Sequence, residues 1–252
     1  MRVIPQRAEV DGRSVVWFSC GVSSAALAKI VVGENADALV CYCDTSASEH
    51  PDNMRFLADV EHWIGTRVLK LASDKFKTTW DVWEHERGLV FPHGAPCTRA
   101  LKQVVRKEWE QPSDVHMFGF TYEEARRATK FTERNWDMNL RFPLIEKQIT
   151  RRDCFKMLDE AAIRRPAMYE LGYKNNNCIG CVKGGSGYWN KIRRDFPDVF
   201  KRMALLDRSI GHAMLRVKGK PCFLDALPSD VGRYATEHDM SCGPQCAQED
   251  KP

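Results

Sequence analysis

The chain has 252 residues, a formal net charge of +4 at pH 7 and 43% hydrophobic residues, which is ordinary for a globular protein with one sizeable core. No internal repeat, apolar signal segment or apolar run of membrane-spanning length is visible, so we expect a cytoplasmic protein that does not bind membranes. Ten cysteines without a secretory signal indicate reduced thiols with metal-binding or catalytic roles and argue against a disulfide framework. The mild positive charge permits an anionic substrate but does not by itself indicate nucleic-acid binding.

Strand and helix patterns alternate through the first part of the chain. The strands are short apolar runs, and the helices show apolar residues at helical spacing, with capping residues at several starts. The predicted elements are a strand and a helix within 14–32, a strand at 38–43, a helix at 51–64, a strand at 67–71, a helix at 75–87, a strand at 115–120, a helix at 121–133, a strand at 140–145 and a helix at 150–163.

This alternation predicts an α/β fold with an open, mostly parallel sheet and helices on both faces. In such sheets, ligands bind beyond the carboxyl ends of the strands, so the turns after Ser19, Cys43 and Phe120 are expected to share one cleft. Beyond the last predicted helix the strand pattern stops, while cysteine and glycine become more frequent. We therefore expect an α/β domain at 1–165 and a helical, cysteine-bearing region at 166–252.

The turn between the first strand and the first helix is the most informative local sequence. An apolar strand, Ser14 to Phe18, ends in a small, hydroxyl-rich turn that leads directly into helix-forming residues. Such a turn directs backbone N–H groups and the positive end of the helix dipole at one point, which suits an anion. Gly21 allows a phosphate to approach the backbone closely. The predicted nucleotide contacts here are Ser19, Gly21, Val22, Ser23 and Ser24, and an ordinary serine-capped connection is the alternative.

The same turn resembles the pyrophosphate-binding loop (PP-loop), S-G-G-x-[DS]-S, of the adenine nucleotide α-hydrolase-like superfamily. That superfamily includes N-type ATP pyrophosphatases, tRNA thiolation enzymes and the phosphoadenosine phosphosulfate (PAPS) reductases. Cys20 stands where the first glycine is usual, and no G-K-[ST] follows, so the loop is not of the Walker A type. The resemblance implies that 1–165 is a nucleotide-binding domain of this fold, with ATP or a related adenine nucleotide and Mg²⁺ as ligands.

Two further segments resemble parts of the same superfamily. Asp44 and Thr45 precede a His-Pro pair and are similar to the D-T-G-x-x-[FH]-P segment that lines the nucleotide pocket. The stretch that contains Gly119, Glu124, Arg126 and Arg127 is similar to a G-x-x-x-x-E-x-R-A segment, whose arginine faces a phosphate or sulfate. An arginine in the first turns of a helix can bind such an anion through two hydrogen bonds. Taken singly, each of these residues is also explained as a helix cap or a surface charge.

Cys178 and Cys181 form a C-x-x-C pair in a glycine-rich loop. This spacing places two thiolates on one ion, and the glycines are expected to leave backbone N–H groups available to sulfur. Cys97 is the expected partner, since the start of a helix and the nearby Arg99 and Lys102 favour a thiolate there. Two incidental loop cysteines are the alternative, and a thioredoxin-like motif is disfavoured because no βαβ unit begins here.

The cysteine spacing resembles that of assimilatory adenylylsulfate (APS) reductases, in which a Cys-Cys pair is followed about eighty residues later by Cys-x-x-Cys. Pro96 replaces the first cysteine of that pair. The resemblance implies a [4Fe–4S] cluster with Cys97, Cys178 and Cys181 as ligands. The fourth iron position is then open or filled from elsewhere in the chain.

The C-terminal tail carries two more cysteines. PAPS reductases have a mobile C-terminal Glu-Cys-Gly segment with the nucleophilic cysteine, and Cys242-Gly243 is similar, although Ser241 replaces the glutamate. We assign Cys242 as the catalytic nucleophile and Cys246 as the fourth cluster ligand, and these two roles could be exchanged. The remaining cysteines are expected to be small apolar fillers: Cys20, Cys41, Cys43, Cys154 and Cys222.

Three pairs of adjacent arginines occur in the second half of the chain, at 151–152, 164–165 and 193–194. Such pairs are usually solvated charges on helix surfaces, and we expect that here. A track for nucleic acid is the alternative interpretation.

The chain is accordingly identified as a phage-type, iron–sulfur-containing member of the PAPS reductase family. Its serine-rich loop looks more like that of the ATP-cleaving members, so we expect ATP-dependent activation of an acceptor (a metabolite, tRNA or DNA) and then sulfur transfer from a sulfur donor. A homodimer is one assembly that we consider, and the sequence leaves the oligomeric state open. One alternative is reduction of PAPS or APS to sulfite by a thiol reductant, with Cys242 attacking and Arg126 or Arg127 binding the sulfate. Another is a non-catalytic, zinc-stapled module that binds nucleotide or nucleic acid.

Overall fold

The computed structural model of the chain describes residues 12–92, 94–237 and 240. Its centre is a five-stranded sheet with the strand order β3-β2-β1-β4-β5, in which all neighbouring strands are parallel. The strands are β1 (Ser14–Phe18), β2 (Leu39–Cys43), β3 (Val68–Leu71), β4 (Val115–Phe118) and β5 (Asn139–Arg141). The predicted open, parallel α/β fold is confirmed.

Helices connect these strands and make up most of the C-terminal region. The first group is α1 (Val22–Glu34), α2 (Asp52–Ile64), α3 (Thr79–Glu86), α4 (Pro96–Thr98), α5 (Val104–Trp109), α6 (Ala125–Arg134), α7 (Pro143–Glu146) and α8 (Arg151–Glu160). The second group is α9 (Ala167–Glu170), α10 (Ser186–Asp195) and α11 (Pro197–Ile210). A π-helical segment, Arg99–Gln103, joins α4 to α5. Within the described ranges, no helix has both the length and the apolar character needed to span a bilayer.

The sheet is buried on both faces, because alternate apolar side chains of its central strands pack into two different cores. Val16 and Phe18 of β1 belong to a core that includes residues of α1, α2 and α8. Val15 and Trp17 of the same strand belong to a separate core with residues of α5 and α6. A strand covered on both faces needs apolar side chains at every position, which explains why β1 and β2 are continuous apolar runs in the sequence.

Two elements differ by four residues at one end from their predicted bounds. The predicted strand at 140–145 ends at Arg141, because Pro143 begins the helix α7. The predicted helix at 75–87 begins only at Thr79, where Thr78 and Asp81 form a capping box that fixes the helix start. The predicted order of strands and helices is unaffected by either change.

The C-terminal region contains a feature that the sequence did not predict, an antiparallel hairpin of β6 (Leu215–Val217) and β7 (Lys220–Cys222). The helices of this C-terminal region form a third buried core, which includes Trp189 and Met203. Trp83 and Cys97, from the segment between β3 and β4, belong to the same core. This shared core positions the C-terminal cysteine loop relative to the sheet.

The buried His116 on β4 gives the fold a pH dependence. Its Nδ1 accepts a hydrogen bond from Trp17 Nε1 at 3.0 Å, and burial, helped by the nearby Arg106, lowers its pKa from 6.5 to about 4. Because the folded pKa lies below the unfolded one, this stability is complete above pH 6.5 and is lost as the pH falls towards 4. We expect a loss of about 2 kcal/mol between pH 7 and pH 5, measured by urea unfolding. His116→Gln, which does not titrate, should show a flatter profile, and equal slopes in both proteins would contradict the assignment.

Candidate functional site

The candidate site lies where β1 and β4 end. The chain builds the sheet outward from β1 to β3 and then returns to place β4 on the other side of β1, so the turns after these two strands are neighbours. Gly119, directly after β4, lies against the first turn of α1, and a Cβ there would be 3.1 Å from both the N and Cα of Ser24. This close backbone approach favours a glycine, and it brings the two turns together as the sequence predicts.

Hydrogen bonds within the turn after β1, which we call the phosphate turn (residues 19–24), fix its shape. Ser24 Oγ donates to the Gly21 carbonyl at 2.9 Å and accepts from the Ser19 N–H at 3.1 Å, and Ser19 Oγ lies 3.3 Å from it. Ser23 lies close enough to the Cys154 thiol on α8 to oppose the rise in its pKa that burial causes. Cys20 has a φ of +52°, a left-handed conformation that costs a non-glycine residue about 1 kcal/mol. The three serines therefore serve first to brace the turn.

Three donors converge on one oxygen at the head of α1. The backbone N–H groups of Val22 and Asn176 and the guanidinium of Arg151 lie close enough to the Tyr169 hydroxyl to oppose the rise in its pKa that burial causes. A Cβ on Gly21 would lie 3.7 Å from the same hydroxyl. The donors belong to a helix N-terminus, a distant loop and a cation, and together they create a positive potential at this point. Burial raises the pKa of Tyr169, so the oxygen that they surround is that of a neutral phenol.

The turn after β2 is built around a buried carboxylate. Glu49 accepts hydrogen bonds from the Tyr42 hydroxyl at 2.9 Å, the Thr45 hydroxyl at 2.5 Å and the Asn53 amide at 2.7 Å. The carboxylate is 7% exposed, so these donors replace the water that it loses on folding. The result is a rigid turn next to the phosphate turn.

Asp44 and Thr45, the predicted nucleotide contacts in this turn, make bonds within it. Asp44 Oδ1 accepts from the backbone N–H of Ser46 at 3.0 Å and from its hydroxyl at 2.6 Å. Thr45 is 1% exposed and its hydroxyl is committed to Glu49. Both residues shape the turn, and their contact with a nucleotide stays a prediction.

Asn176 ties the cysteine loop (residues 175–185) to the phosphate turn. Its side-chain amide donates to the Cys20 carbonyl at 2.7 Å and to Asn53 Oδ1 at 2.8 Å. Three residues later, the Ile179 N–H donates to the Ser48 carbonyl at 2.9 Å. The cysteine loop therefore lies beside the turns after both β1 and β2.

The predicted cluster cysteines Cys97, Cys178 and Cys181 are all buried. Cys97 and Cys181 belong to the same buried core, although 84 positions separate them in the sequence. Ser48 connects the segments that carry these cysteines. Its carbonyl accepts from Ile179 in the cysteine loop, and its hydroxyl accepts a hydrogen bond from the Thr79 N–H at the start of α3. Helix α3 in turn packs against α4, which contains Cys97. The fold thus draws the cysteines towards one region.

The cysteine loop differs from prediction in its hydrogen bonds. The N–H groups of Gly180 and Cys181 donate to the buried Tyr188 hydroxyl at 3.1 and 2.9 Å, so the expectation that they are available to sulfur is wrong. Gly180 has a φ of +77°, and a Cβ there would lie 2.8 Å from Val199 Cγ1 on α11. The glycine is therefore needed for the loop's turn and for its packing.

Two of the predicted site cysteines, Cys242 and Cys246, lie outside the residues that the structure describes. Within 12–92, 94–237 and 240, no group of three or more His, Cys, Asp or Glu side chains is arranged to bind a metal ion. The eight described cysteines form no disulfides with one another. Burial raises the pKa of the fillers Cys41, Cys43 and Cys154 to about 12, so these remain neutral thiols.

The predicted anion-binding arginines Arg126 and Arg127 lie at the start of α6. Arg126 is exposed. Arg127 Nη1 donates to Glu124 Oε1 at 2.6 Å, and its guanidinium lies 5.0 Å from the centre of the Phe120 ring. An intrahelical ion pair thus orients Arg127, and its contact with phosphate or sulfate stays a prediction.

Sequence reasoning misjudged the surroundings of two cationic residues of the site. Arg151, expected on a solvated surface, is partly buried and reaches the Tyr169 hydroxyl, so that expectation is wrong for this residue. Its position in the first turn of a helix that follows the last sheet strand was the available signal. Lys102, which was expected to favour a thiolate at Cys97, is buried. Its charge lies close enough to Cys20 and Cys43 to oppose the increase in their thiol pKa values that burial causes. The other expected cation, Arg99, is exposed and lies 3.5 Å from Glu86.

The relationship of the chain to known proteins was tested by comparison. No protein-family model matches it, and no curated protein gives a significant match. What is established is therefore the fold class: an α/β protein with a parallel sheet of order 3-2-1-4-5, an arrangement consistent with Rossmann-like and nucleotide α-hydrolase-like folds.

Proposed function

We propose that the protein is an adenine-nucleotide enzyme of the PP-loop type that activates an acceptor with ATP and transfers sulfur to it. The observation that carries this proposal is the convergence of three donors at the head of α1, next to a cysteine loop that Asn176 ties to the same turn. A helix N-terminus at the carboxyl edge of a parallel sheet is a common binding position for phosphate groups. Buried cysteines beside such a position favour sulfur chemistry over simple nucleotide hydrolysis.

The proposed reaction has two balanced steps. An oxygen of the acceptor attacks the α-phosphorus of ATP, and the bond to the β-phosphate oxygen breaks, which releases pyrophosphate and leaves an adenylated acceptor. Hydrosulfide then displaces AMP and forms the new bond to sulfur without any change in oxidation state; a persulfide donor would require a thiol reductant to supply two electrons. The positive potential at the head of α1 would stabilise the charge that develops on the departing pyrophosphate.

Two cofactors belong to this proposal. Mg²⁺, when bound with ATP, neutralises phosphate charge. Cys97 and Cys181 lie in the same buried core, which supports their proposed role as ligands of a [4Fe–4S] cluster. Among the described residues, however, no group of three or more ligating side chains is arranged to bind a metal. We therefore assign no step to the cluster, and its ligands, including Cys246, stay predictions.

The test uses the full chain purified without oxygen. We expect calorimetry to show binding of ATP and pyrophosphate, and pyrophosphate release when hydrosulfide and tRNA, DNA or a small acceptor are added. A visible absorption band with bound iron is expected for the cluster. Absence of ATP and pyrophosphate binding at millimolar concentration would refute the nucleotide site. Sulfite release from PAPS or APS would replace the transferase by the reductase, and a colourless zinc protein without turnover would support a binding module.

A further inference from the structure

The Tyr169 hydroxyl occupies the position in which the phosphate turn would stabilise an anionic oxygen. A Cβ on Gly21 would lie 3.7 Å from the hydroxyl oxygen, so this oxygen is next to the backbone of the phosphate turn. The N–H groups of Val22 and Asn176 and the guanidinium of Arg151 lie close enough to it to oppose the rise in its pKa that burial causes. A neutral phenol keeps one O–H donor, which can bond to an acceptor at the turn. A phosphate oxygen next to Gly21 would be such an acceptor.

Packing fixes the position of this hydroxyl. The Tyr169 ring meets the Phe155 ring edge to face, with 5.4 Å between the centroids. Arg165 covers Phe155, with its guanidinium carbon 4.5 Å from the ring centre. Arg151 is positioned by the Lys174 carbonyl, to which it donates, and by Asn175 Oδ1 at 3.4 Å. The hydroxyl and the guanidinium are therefore preorganised, which lowers the entropic cost of binding a ligand.

We propose that Tyr169 and Arg151 are phosphate-binding residues of this site, with the tyrosine hydroxyl donating to a phosphate oxygen of the ligand and the arginine contributing positive charge. This inference rests on the proposed nucleotide function and adds two named contacts to it. It implies that pyrophosphate, which has no base or sugar, binds through these residues, whereas adenosine does not.

The test compares Tyr169→Phe and Arg151→Gln with wild type by calorimetric titration of pyrophosphate and of adenosine. Tyr169→Phe keeps the ring and its packing, and Arg152→Gln removes an adjacent exposed charge as a matched control. We expect pyrophosphate affinity to fall about threefold to tenfold in Tyr169→Phe and tenfold or more in Arg151→Gln. The salt dependence of binding should weaken in Arg151→Gln alone, and adenosine affinity should not change.

A second measurement keeps the inference testable if a variant is poorly folded. Modification of wild-type protein by phenylglyoxal, mapped by mass spectrometry, should be slower at Arg151 when pyrophosphate is present and unchanged at the exposed Arg152. Folded variants that bind pyrophosphate like wild type, or modification of Arg151 that is the same with and without pyrophosphate, would overturn the inference while leaving the nucleotide site intact. Wild-type protein that binds neither ATP nor pyrophosphate would refute both proposals.

Discussion

Replacing Gly119 by valine is expected to abolish measurable ATP and pyrophosphate binding and to lower the free energy of unfolding by about 1–3 kcal/mol. A Cβ at this position would lie 3.1 Å from the backbone N of Ser24 and 3.2 Å from the Ser23 carbonyl carbon. The obstacle is the backbone of the phosphate turn, so a rotamer change cannot relieve it. The first turn of α1 must move, and the Val22 N–H then leaves the point at which the donors converge.

The matched control is Gly33→Ala, since Gly33 lies near the end of the same helix and a Cβ there meets nothing within 4 Å. Alanine in a helix is favoured over glycine, so this variant should be about 0.5–1 kcal/mol more stable than wild type and bind pyrophosphate equally. Gly119→Ala should have a stability and a pyrophosphate affinity between those of wild type and Gly119→Val. Unfolding in urea and calorimetric titration measure both quantities, and a Gly119→Val protein that binds normally would show that α1 does not form the site.

Replacing Glu49 by alanine is expected to destabilise the protein by about 3–5 kcal/mol. The carboxylate satisfies the Tyr42 and Thr45 hydroxyls and the Asn53 amide, and its loss leaves these three buried donors without their acceptor. The effect should extend to the site, because Asn53 Oδ1 also accepts from the Asn176 amide that joins the cysteine loop to the phosphate turn.

Glu49→Gln is the control for this prediction. A glutamine can still accept from Asn53 and Tyr42 with its oxygen and can donate to the Thr45 hydroxyl with its nitrogen, so we expect a loss of about 1 kcal/mol or less. Chemical denaturation measures both variants. Similar losses in the two would mean that the volume of the side chain, not its hydrogen bonds, stabilises this turn.

The local sequence was sufficient for the order of the elements. Continuous apolar runs such as 14–18 are typical of strands covered on both faces, and Thr121 and Thr150 form capping boxes with Glu124 and Asp153, as their spacing predicts. Local patterns were insufficient where one residue interrupts a run, as Pro143 does after β5. The hairpin at 215–222 was missed because its strands are short and weakly apolar.

The sequence by itself determined the α/β class, the parallel sheet and the position of the turn after the first strand that we propose as the phosphate site, because each depends on residues close together in the chain. Only the tertiary structure decided which distant groups complete that turn. Asn176 bonds to Cys20 across 156 positions, and Arg151 and Tyr169 meet Val22 through packing. No local periodicity encodes such contacts, since they arise from how the C-terminal core packs against the carboxyl edge of the sheet.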